Sequence, residues 1–578
     1  MIPRALACDY DGTLASNDRI GPGTVAALEQ VRAAGLRLVL LTGRTLFEIT
    51  RVCERLDLFD AVVAENGAVL YFPRSGSLRD LAPAPPPRLL AELDRRGLAY
   101  RLGRVVVDTM RSDEAQVCAA LEAAGVELEL VYNRAALMLL PPGVSKGTGL
   151  RQVIRELGLS FHDVLGFGDA ENDLPLFDAC GLTACPADAV PALRARADWV
   201  LAGANGAAVT EAITADVLGG RLGLARSPRH RIQIGWAPGT SEPVTVPARG
   251  VNVLIHGEPL SGKSWLAGAL VERLVARRYA VCVIDPEGDY YVLQRLPGVT
   301  GVEIRSERAL EAALGEIEQD PAACLVADLS GLPHTKKLRV VERGLAGIRD
   351  LRARLGRPHW VVLDEAHYSL HAGGVDERAI GIEDKGFCLP TYRSSWIRPT
   401  VVRAMDVFVL ARTTAPGELA FLRTALRELG EGGARAVDSL PDLPPGEFVL
   451  VQGRDAGPAE PVTFVPVPRE TIHVRHLRKY AEGGVPVEHR FYFRQPEGEL
   501  VATANSLTSF GHALAAIDDR VLAFHAERGD FSRWVLGVFS DPTLGQQLRK
   551  TEARWRRREI GDLRAAMERL VASRYGSA

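Results

Sequence analysis

Short, largely apolar runs recur along the chain, and each stops at a glycine or at a small or acidic polar residue. ALAC precedes Asp9, LRLVLL precedes Thr42, VLGF precedes Gly168, VNVLIH precedes Gly257, AVCVI precedes Asp285, CLVA precedes Asp328 and WVVL precedes Asp364. Runs this short, without polar alternation, read as strands buried on both faces. Longer stretches with helical spacing lie between them, among them Trp265–Arg278 and a segment of charged and aliphatic residues through Arg354. Strand and helix in alternation predict an α/β protein with parallel sheets, whose ligand sites lie at the carboxyl ends of the strands.

Length divides this pattern. A chain of 578 residues exceeds one core and predicts about three domains. The first covers 1–215. GGRLGLARSPRHR, rich in glycine and arginine and without apolar period, marks a linker at 216–227. A second domain spans 228–465 and a third 466–578. Inside the first, the segment at about 80–143 has its own pattern: LLAELDRRGLAYRL and EAQVCAALEAAGVELELVY each read as helix then strand, and AALMLLP as a further strand.

Composition narrows the class only a little. A net charge of −3 excludes a uniformly basic protein but not a local basic stripe. The eight cysteines form no Cys-x₂-Cys pair, which predicts reduced thiols in the cytoplasm and no structural zinc. No apolar run approaches the roughly 18 residues of a membrane span. Asp9 and Asp11 interrupt the first run, so no signal peptide is expected.

The chemistry begins at Asp9-Tyr10-Asp11-Gly12-Thr13. Two carboxylates at a strand end, turned by a glycine, suit attack on a phosphoryl group: one attacks, and its neighbour protonates the leaving oxygen and later deprotonates water. Thr42 ends the next strand, and Lys146 lies in PPGVSKGTGL. Asp169, Glu171 and Asp173 follow the VLGF run. Paired acids there suit a hard cation held against a substrate phosphate, with lysine and threonine neutralising the remaining charge.

In that order the pieces resemble the haloacid dehalogenase (HAD) superfamily. The inserted segment, with AENGAV around Glu65 and Asn66, resembles its Cof-like branch. The resemblance implies a Rossmann-like parallel sheet under an α+β cap of type IIB. It also implies a Mg²⁺-dependent phosphomonoester phosphatase working through an aspartyl phosphate. It makes Asp9 the nucleophile and Asp11 the general acid/base, with Thr42 and Lys146 on the phosphate and Gly43, Arg44 and Asn172 as further phosphate contacts. Mg²⁺ is expected on Asp9, the Asp11 carbonyl and Asp169, supported by Asp173. Caps select substrates by closing over the site, and sugar phosphates, nucleotides and phosphorylated nucleic-acid ends all stay open.

The second site is more explicit. Gly257 to Ser264, GEPLSGKS, matches G-x-x-x-x-G-K-[ST] between a strand and a helix, which is a P-loop. Backbone N–H groups close on phosphate, Lys263 supplies charge and the Ser264 hydroxyl reaches Mg²⁺. Downstream, WVVL ends in Asp364-Glu365: one carboxylate orients the metal and the other polarises the attacking water.

VIDPEGDY, VADLSG and VVLDEAH together resemble the HerA/FtsK branch of P-loop motors, HerA-like ATPases in particular. The resemblance implies a RecA-like domain in a hexameric ring that hydrolyses ATP and moves DNA. Gly257, Gly262, Lys263, Ser264 and Asp364 bind the nucleotide and its Mg²⁺, and Glu365 is the catalytic base. Arg393, Arg403 and Arg412 are candidate arginine fingers. Two positions depart from the family pattern: Trp265 follows the P-loop serine, and Thr391-Tyr392-Arg393 stands where a glutamine sensor is usual.

The third domain reads as α-rich. Its ETIHVRHLRKY stretch interleaves basic and aromatic residues, and His473, His476, His489, Arg475, Arg478 and Lys479 suit nucleic acid as well as they suit a solvated basic face. The whole predicts a phosphatase joined to an ATPase that acts on DNA or RNA in end processing, repair or defence. Two alternatives stay open: a metabolic phosphatase regulated by a nucleotide-sensing module, and a polynucleotide kinase/phosphatase-like fusion. Asp364-Glu365, built to activate water, favours hydrolysis over the kinase.

Overall fold

The computed structural model describes residues 3–575 apart from 17, 221, 223–226, 228, 259–260, 428, 430, 454–455, 457–459, 473–489 and 540–541. The chain forms two compact units: Met1–Ile284 with Leu293–Ala327 and Leu332–Glu470, and Asp285–Val292 with Asp328–Gly331 and Thr471–Ala578. The first unit holds both phosphate-handling halves.

The first half is built on eight strands in the order Trp199–Val200, Leu182–Cys185, Val164–Phe167, Ala5–Asp9, Arg37–Leu41, Ala61–Ala64, Val69–Phe72 and Ser77–Asp80. The first six run parallel and the last two are antiparallel. Along Ala5–Asp9, Leu6 and Cys8 pack into one core cluster with Leu28 and Val31, whereas Ala5 and Ala7 join Leu150 and Val153 on the other face. That two-sided burial is why the run carries no polar alternation. Register pairs Cys8 with Phe167 and Asp9 with Leu41, so Asp9, Thr42 and Gly168 emerge together at one sheet edge.

The inserted segment forms a second layer. Its antiparallel strands run Glu129–Asn133, Ala136–Leu140, Val107–Met110 and Arg101–Leu102, backed by helices Pro87–Arg95 and Glu114–Ala124. Leu89, Leu93, Val117, Leu137 and Leu139 are buried between them. The strand Val107–Met110 escaped the sequence reading because Asp108 and Thr109 break its apolar run. So did Ser77–Asp80 in the first sheet, the hairpin partner of Val69–Phe72, whose residues are all exposed.

Helix Asn205–Glu211 continues through a wider turn, Ala212–Val217, that buries Ile213 and Val217. The expected linker is partly structural: Ser227 Oγ donates to Asp198 at 2.7 Å, and Arg229 holds the same carboxylate at 2.8 and 2.9 Å.

The P-loop half is an eleven-stranded sheet: Pro243–Pro247, Arg231–Trp236, Val462–Pro466, Phe448–Gln452, Val407–Leu410, Val253–His256, Phe387–Thr391, Trp360–Leu363, Val281–Asp285, Cys324–Asp328 and Val299–Glu303. The P-loop strand Val253–His256 lies parallel between Phe387–Thr391 and Val407–Leu410, and the acid-bearing strand Trp360–Leu363 lies one strand further on. The helix after the loop runs Lys263–Ala276, two residues earlier than the hydrophobic pattern suggested, because Lys263 and Ser264 form its first turn.

The two halves meet at a buried seam. Asp163 immediately precedes the strand Val164–Phe167, and His359 immediately precedes Trp360–Leu363. His359 Nε2 lies 3.3 Å from Asp163 Oδ2, and His359 Nδ1 accepts from the Ala280 N–H at 2.8 Å. With Nδ1 accepting, Nε2 carries the proton that reaches Asp163. His162 stacks on Tyr279 with ring centroids 3.5 Å apart. Arg4 donates to the Arg352 and Ala353 carbonyls at 2.5 and 2.9 Å, and Arg357 to that of Gly158 at 2.9 Å.

The second unit pairs the hairpin Phe491–Arg494 and Leu500–Ala504 with the helices Leu507–Ala516, Asp519–Arg528, Asp530–Trp534, Pro542–Arg556 and Leu563–Tyr575. Phe491, Phe493, Phe510, Phe531 and Met567 fill its core, so the α-rich expectation holds. The basic and histidine residues singled out at 473–489 lie outside the described residues. Among the described residues no helix is long and apolar enough to cross a membrane.

Candidate functional site

Three buried carboxylates gather at the edge of the first sheet. Asp9, Asp169 and Asp173 place ligand oxygens within 4.8 Å of one another. Lys146, at the first turn of helix Lys146–Glu156, extends its ammonium between two of them, 2.5 Å from Asp9 Oδ1 and 2.6 Å from Asp173 Oδ1. Asp173 Oδ2 accepts the backbone N–H groups of Asp169 and Ala170 at 2.9 and 3.1 Å. Thr13 Oγ1 donates to Asp169 Oδ1 at 3.0 Å.

Burial pushes the Asp9 carboxyl well above the usual carboxylate range, with Lys146 pulling it back. Burial would lower Lys146, but Asp173 and Asp9 outweigh it and hold the side chain charged. Gly12 has φ +76°, and a Cβ there would lie 2.5 Å from Asp169 Oδ2. The glycine after Asp11 is therefore required both by backbone and by space.

The remaining expected residues divide. Thr42 is buried and its hydroxyl accepts the Arg44 N–H at 3.1 Å. Asn172 Nδ2 donates to Asn66 Oδ1 at 3.1 Å, while Asn172 Oδ1 is buried without a partner among the described residues. Met138 Sδ, from the cap, lies 3.3 Å from where a Cβ on residue 43 would sit, so Gly43 leaves room for that roof. Arg44, expected on phosphate, instead grips both oxygens of Asp11 at 2.6 and 2.8 Å and also reaches Asp18. The Asp11 side chain is accordingly not in the carboxylate cluster; the resemblance assigns its carbonyl, not its carboxylate, to the metal.

Two contacts were not legible from sequence. Arg134, in the turn between the cap strands Glu129–Asn133 and Ala136–Leu140, reaches Asp169 Oδ2 at 2.5 Å. Glu65, buried and with φ +52°, accepts the backbone N–H groups of Arg104, Val105 and Val106 at 2.9, 2.8 and 3.1 Å. It ties cap backbone to the core beside the site. The AENGAV segment marked the position but not the partner, which lies some forty residues on.

At the second site the loop leaves Val253–His256 and enters the helix at Gly262, whose φ is +96°. Lys263 Nζ donates to the Glu258 carbonyl at 3.0 Å and lies 5.9 Å from the centre of the Tyr392 ring. Asp364 and Glu365 are buried at the end of Trp360–Leu363, Glu365 with φ +45°. A left-handed glutamate is costly and is a mark of functional sites.

His367 Nδ1 lies 3.6 Å from Glu365 Oε2 and 3.1 Å from Thr391 Oγ1. Where the family pattern expects glutamine, Thr391 thus reaches the glutamate through a histidine. Burial, then Lys263 and Arg393, lowers His256 to about 3, so it is neutral behind the loop.

Of the three candidate fingers, Arg393 stacks over Tyr392 and Trp396, 5.5 Å from each ring, beside its own P-loop. The Arg412 carbonyl accepts the Glu258 N–H at 3.4 Å, and Arg403 ends a helix, Pro399–Arg403, before the strand Val407–Leu410 and so lies away from this loop. The departure at Trp265 has a partner: Arg469 sits 5.9 Å from its ring and pairs with buried Glu272 at 3.0 Å.

The family described as haloacid dehalogenase-like hydrolase matches residues 6–81 and 102–213, and that described as Helicase HerA, central domain, matches 253–343. The chain is similar to a phosphoglycolate phosphatase of Methanothermobacter thermautotrophicus, 31% identical over 225 residues that span 36% of this chain and 97% of the relative. It is similar to that of Haloarcula marismortui at 32% over 219 residues, 36% of this chain and 95% of the relative. Among solved structures it is similar to a Thermoplasma acidophilum protein at 24% identity, covering 37% of this chain and 98% of that one, with a TM-score of 0.32. Each of these three accounts for little more than a third of the chain.

Proposed function

Because the chain belongs to the haloacid dehalogenase-like hydrolases through its first third and carries a HerA central domain behind it, we propose that it joins two phosphate-cleaving enzymes. One is a phosphomonoester phosphatase acting through Asp9; the other is an ATP hydrolase acting through Lys263, Ser264, Asp364 and Glu365. The observation that carries the first is the Lys146 ammonium held between Asp9 and Asp173. A buried cation among clustered acids at a strand end suits a site where a divalent cation and a phosphoryl group are held together.

Asp9 attacks phosphorus and becomes the aspartyl phosphate. Asp11 passes a proton to the leaving oxygen as its bond to phosphorus breaks, then takes one from the water that cleaves the acyl phosphate and frees Asp9. Arg44 holds both Asp11 oxygens at rest, so that transfer requires the pair to open. Thr42 and Asn172 face the same edge and orient the phosphoryl oxygens. The clustered carboxylates are hard oxygen donors that fit Mg²⁺, which Asp9 and Asp169 would hold with Asp173 in support. Bound there, it supplies Lewis-acid stabilisation of phosphoryl charge. The names of the relatives support a small phosphorylated acid such as phosphoglycolate as substrate.

In the second half Lys263 exchanges the Glu258 carbonyl for a nucleotide phosphate, Ser264 and Asp364 hold the Mg²⁺ of ATP, and Glu365 takes the proton of the attacking water. The HerA match supports a ring, hexameric in this reading, working on nucleic acid in the cytoplasm.

A panel of phosphoglycolate, sugar phosphates and DNA or RNA with phosphorylated ends, run with the full chain and its Asp9→Asn variant, tests the phosphatase. Turnover that survives the substitution sinks the nucleophile. ATP hydrolysis measured with and without DNA tests the other half: if DNA neither binds nor stimulates, the motor reading fails. A strict monomer by solution mass, with and without ATP, removes the ring.

A further inference from the structure

We propose that Arg134 selects the substrate of the phosphatase site: parked on Asp169 at rest, it is released when the divalent cation arrives and then binds a carboxylate carried by a small phosphomonoester. The inference rests on the phosphatase reading and deepens it by assigning the recognition of the non-phosphate end.

The first observation is where the arginine stands. Its backbone occupies the left-handed region, φ +52°, where glycine or asparagine would cost about 1 kcal/mol less. A turn alone does not favour arginine there, but a side chain needed over the site does. Its side chain is 57% exposed while that of its partner Asp169 is 2% exposed, so it lies at the mouth and Asp169 on the floor.

The second is the charge count. Asp9, Asp169 and Asp173 face one ammonium, Lys146, and one guanidinium, Arg134. A divalent cation on Asp9 and Asp169 takes over the neutralisation that Arg134 provides, and frees it. The other guanidinium at the mouth, Arg44, is engaged by Asp11 and Asp18; among the described residues the ion pair of Arg134 is with Asp169 alone.

The third is space. Met138, four residues on in the same cap hairpin, lies 3.3 Å from where a Cβ on residue 43 would sit, so the hairpin that carries Arg134 crowds the site and favours a short substrate. An anionic group on so short a substrate falls within reach of the cap turn.

The test compares phosphoglycolate with ethyl phosphate, which has the same two-carbon chain and no carboxylate, using the full chain and its Arg134→Ala and Arg134→Lys variants. Arg134→Ala should raise KM for phosphoglycolate about 10- to 100-fold, the size of one charge-assisted contact. It should leave kcat within about threefold and leave KM for ethyl phosphate unchanged, and Arg134→Lys should recover part of the loss. Titrated calorimetrically without substrate, Mg²⁺ should bind Arg134→Ala more tightly than the unaltered chain. Equal changes in KM for both substrates, no change for either, or equal or weaker Mg²⁺ binding overturns the proposal. An unaltered chain that hydrolyses no phosphomonoester at all overturns the phosphatase reading first and this inference with it.

Discussion

At the phosphatase site the opposing charges have already met: Lys146 lies 2.5 Å from Asp9 and 2.6 Å from Asp173, and the cap leans Arg134 onto Asp169. At the P-loop the lysine has turned to its own loop, onto the Glu258 carbonyl, while Asp364 and Glu365 are buried two strands away. The first site contains carboxylates and must keep its cations close to hold them folded. The second rests its lysine on a backbone carbonyl that an incoming phosphate would replace. Under the proposed mechanism, covalent chemistry on Asp9 would need a standing counter-charge, whereas a nucleotide would bring its own charge with it.

The sharpest way to break this comparison is to disable each site alone. Asp9→Asn should lower hydrolysis of an aryl phosphate about a thousandfold or more and leave ATP turnover within about twofold, with Lys263→Ala giving the converse; loss of both activities in either variant denies that the sites are chemically separate. Glu365→Gln should cut ATP hydrolysis about 100- to 1000-fold while a fluorescent ATP analogue still binds. Weakened binding instead would make the glutamate part of the phosphate cradle.

At the seam Asp163 also lies 3.6 Å from the Arg249 guanidinium; Asp163→Ala leaves His359 and Arg249 facing a void and should cost about 3 kcal/mol in denaturant unfolding, with the two activities lost together along one transition. Separate transitions would show that the halves fold independently.

The smallest effect concerns pH. Folded His256 holds its proton only below about 3, against an ordinary 6.5, because it is buried near Lys263 and Arg393. The unfolded chain therefore binds a proton in that window that the folded chain refuses, and the stability present above 6.5 declines as pH falls. From about pH 7 to about pH 5 this one group should account for about 2 kcal/mol. His256→Gln should flatten that part of the profile, and identical profiles would refute it.

Sequence alone reached the acid-bearing strands because each obeys a local rule: continuous apolar residues, then a glycine or an acid at the sheet edge. Asp9, Asp169, Lys263 and Asp364 were readable in that way, and the parallel register does bring Asp9, Thr42 and Gly168 to one edge. What escaped depends on distant partners. Arg134 is one charged residue at the turn of a largely apolar hairpin until the cap folds over Asp169. Glu65 has no visible purpose until Arg104, Val105 and Val106 present their N–H groups. Trp265 looks anomalous after a P-loop serine until Arg469, two hundred residues later, arrives against its ring. The strand Ser77–Asp80 lacked any apolar signal because it is an exposed edge.

The Asp163–His359 contact has a consequence for how such a protein can be inherited. Each residue starts the strand whose far end carries its half's acids, and both are buried. A gene broken in the 216–227 region would release two fragments, each with a charged or polar wound that water must fill: Asp163 and His162 on one, His359, Tyr279 and Arg357 on the other. Shuffling either half onto a new neighbour therefore demands several simultaneous repairs, and single steps away from the fusion are penalised. The pairing, once made, holds like a ratchet.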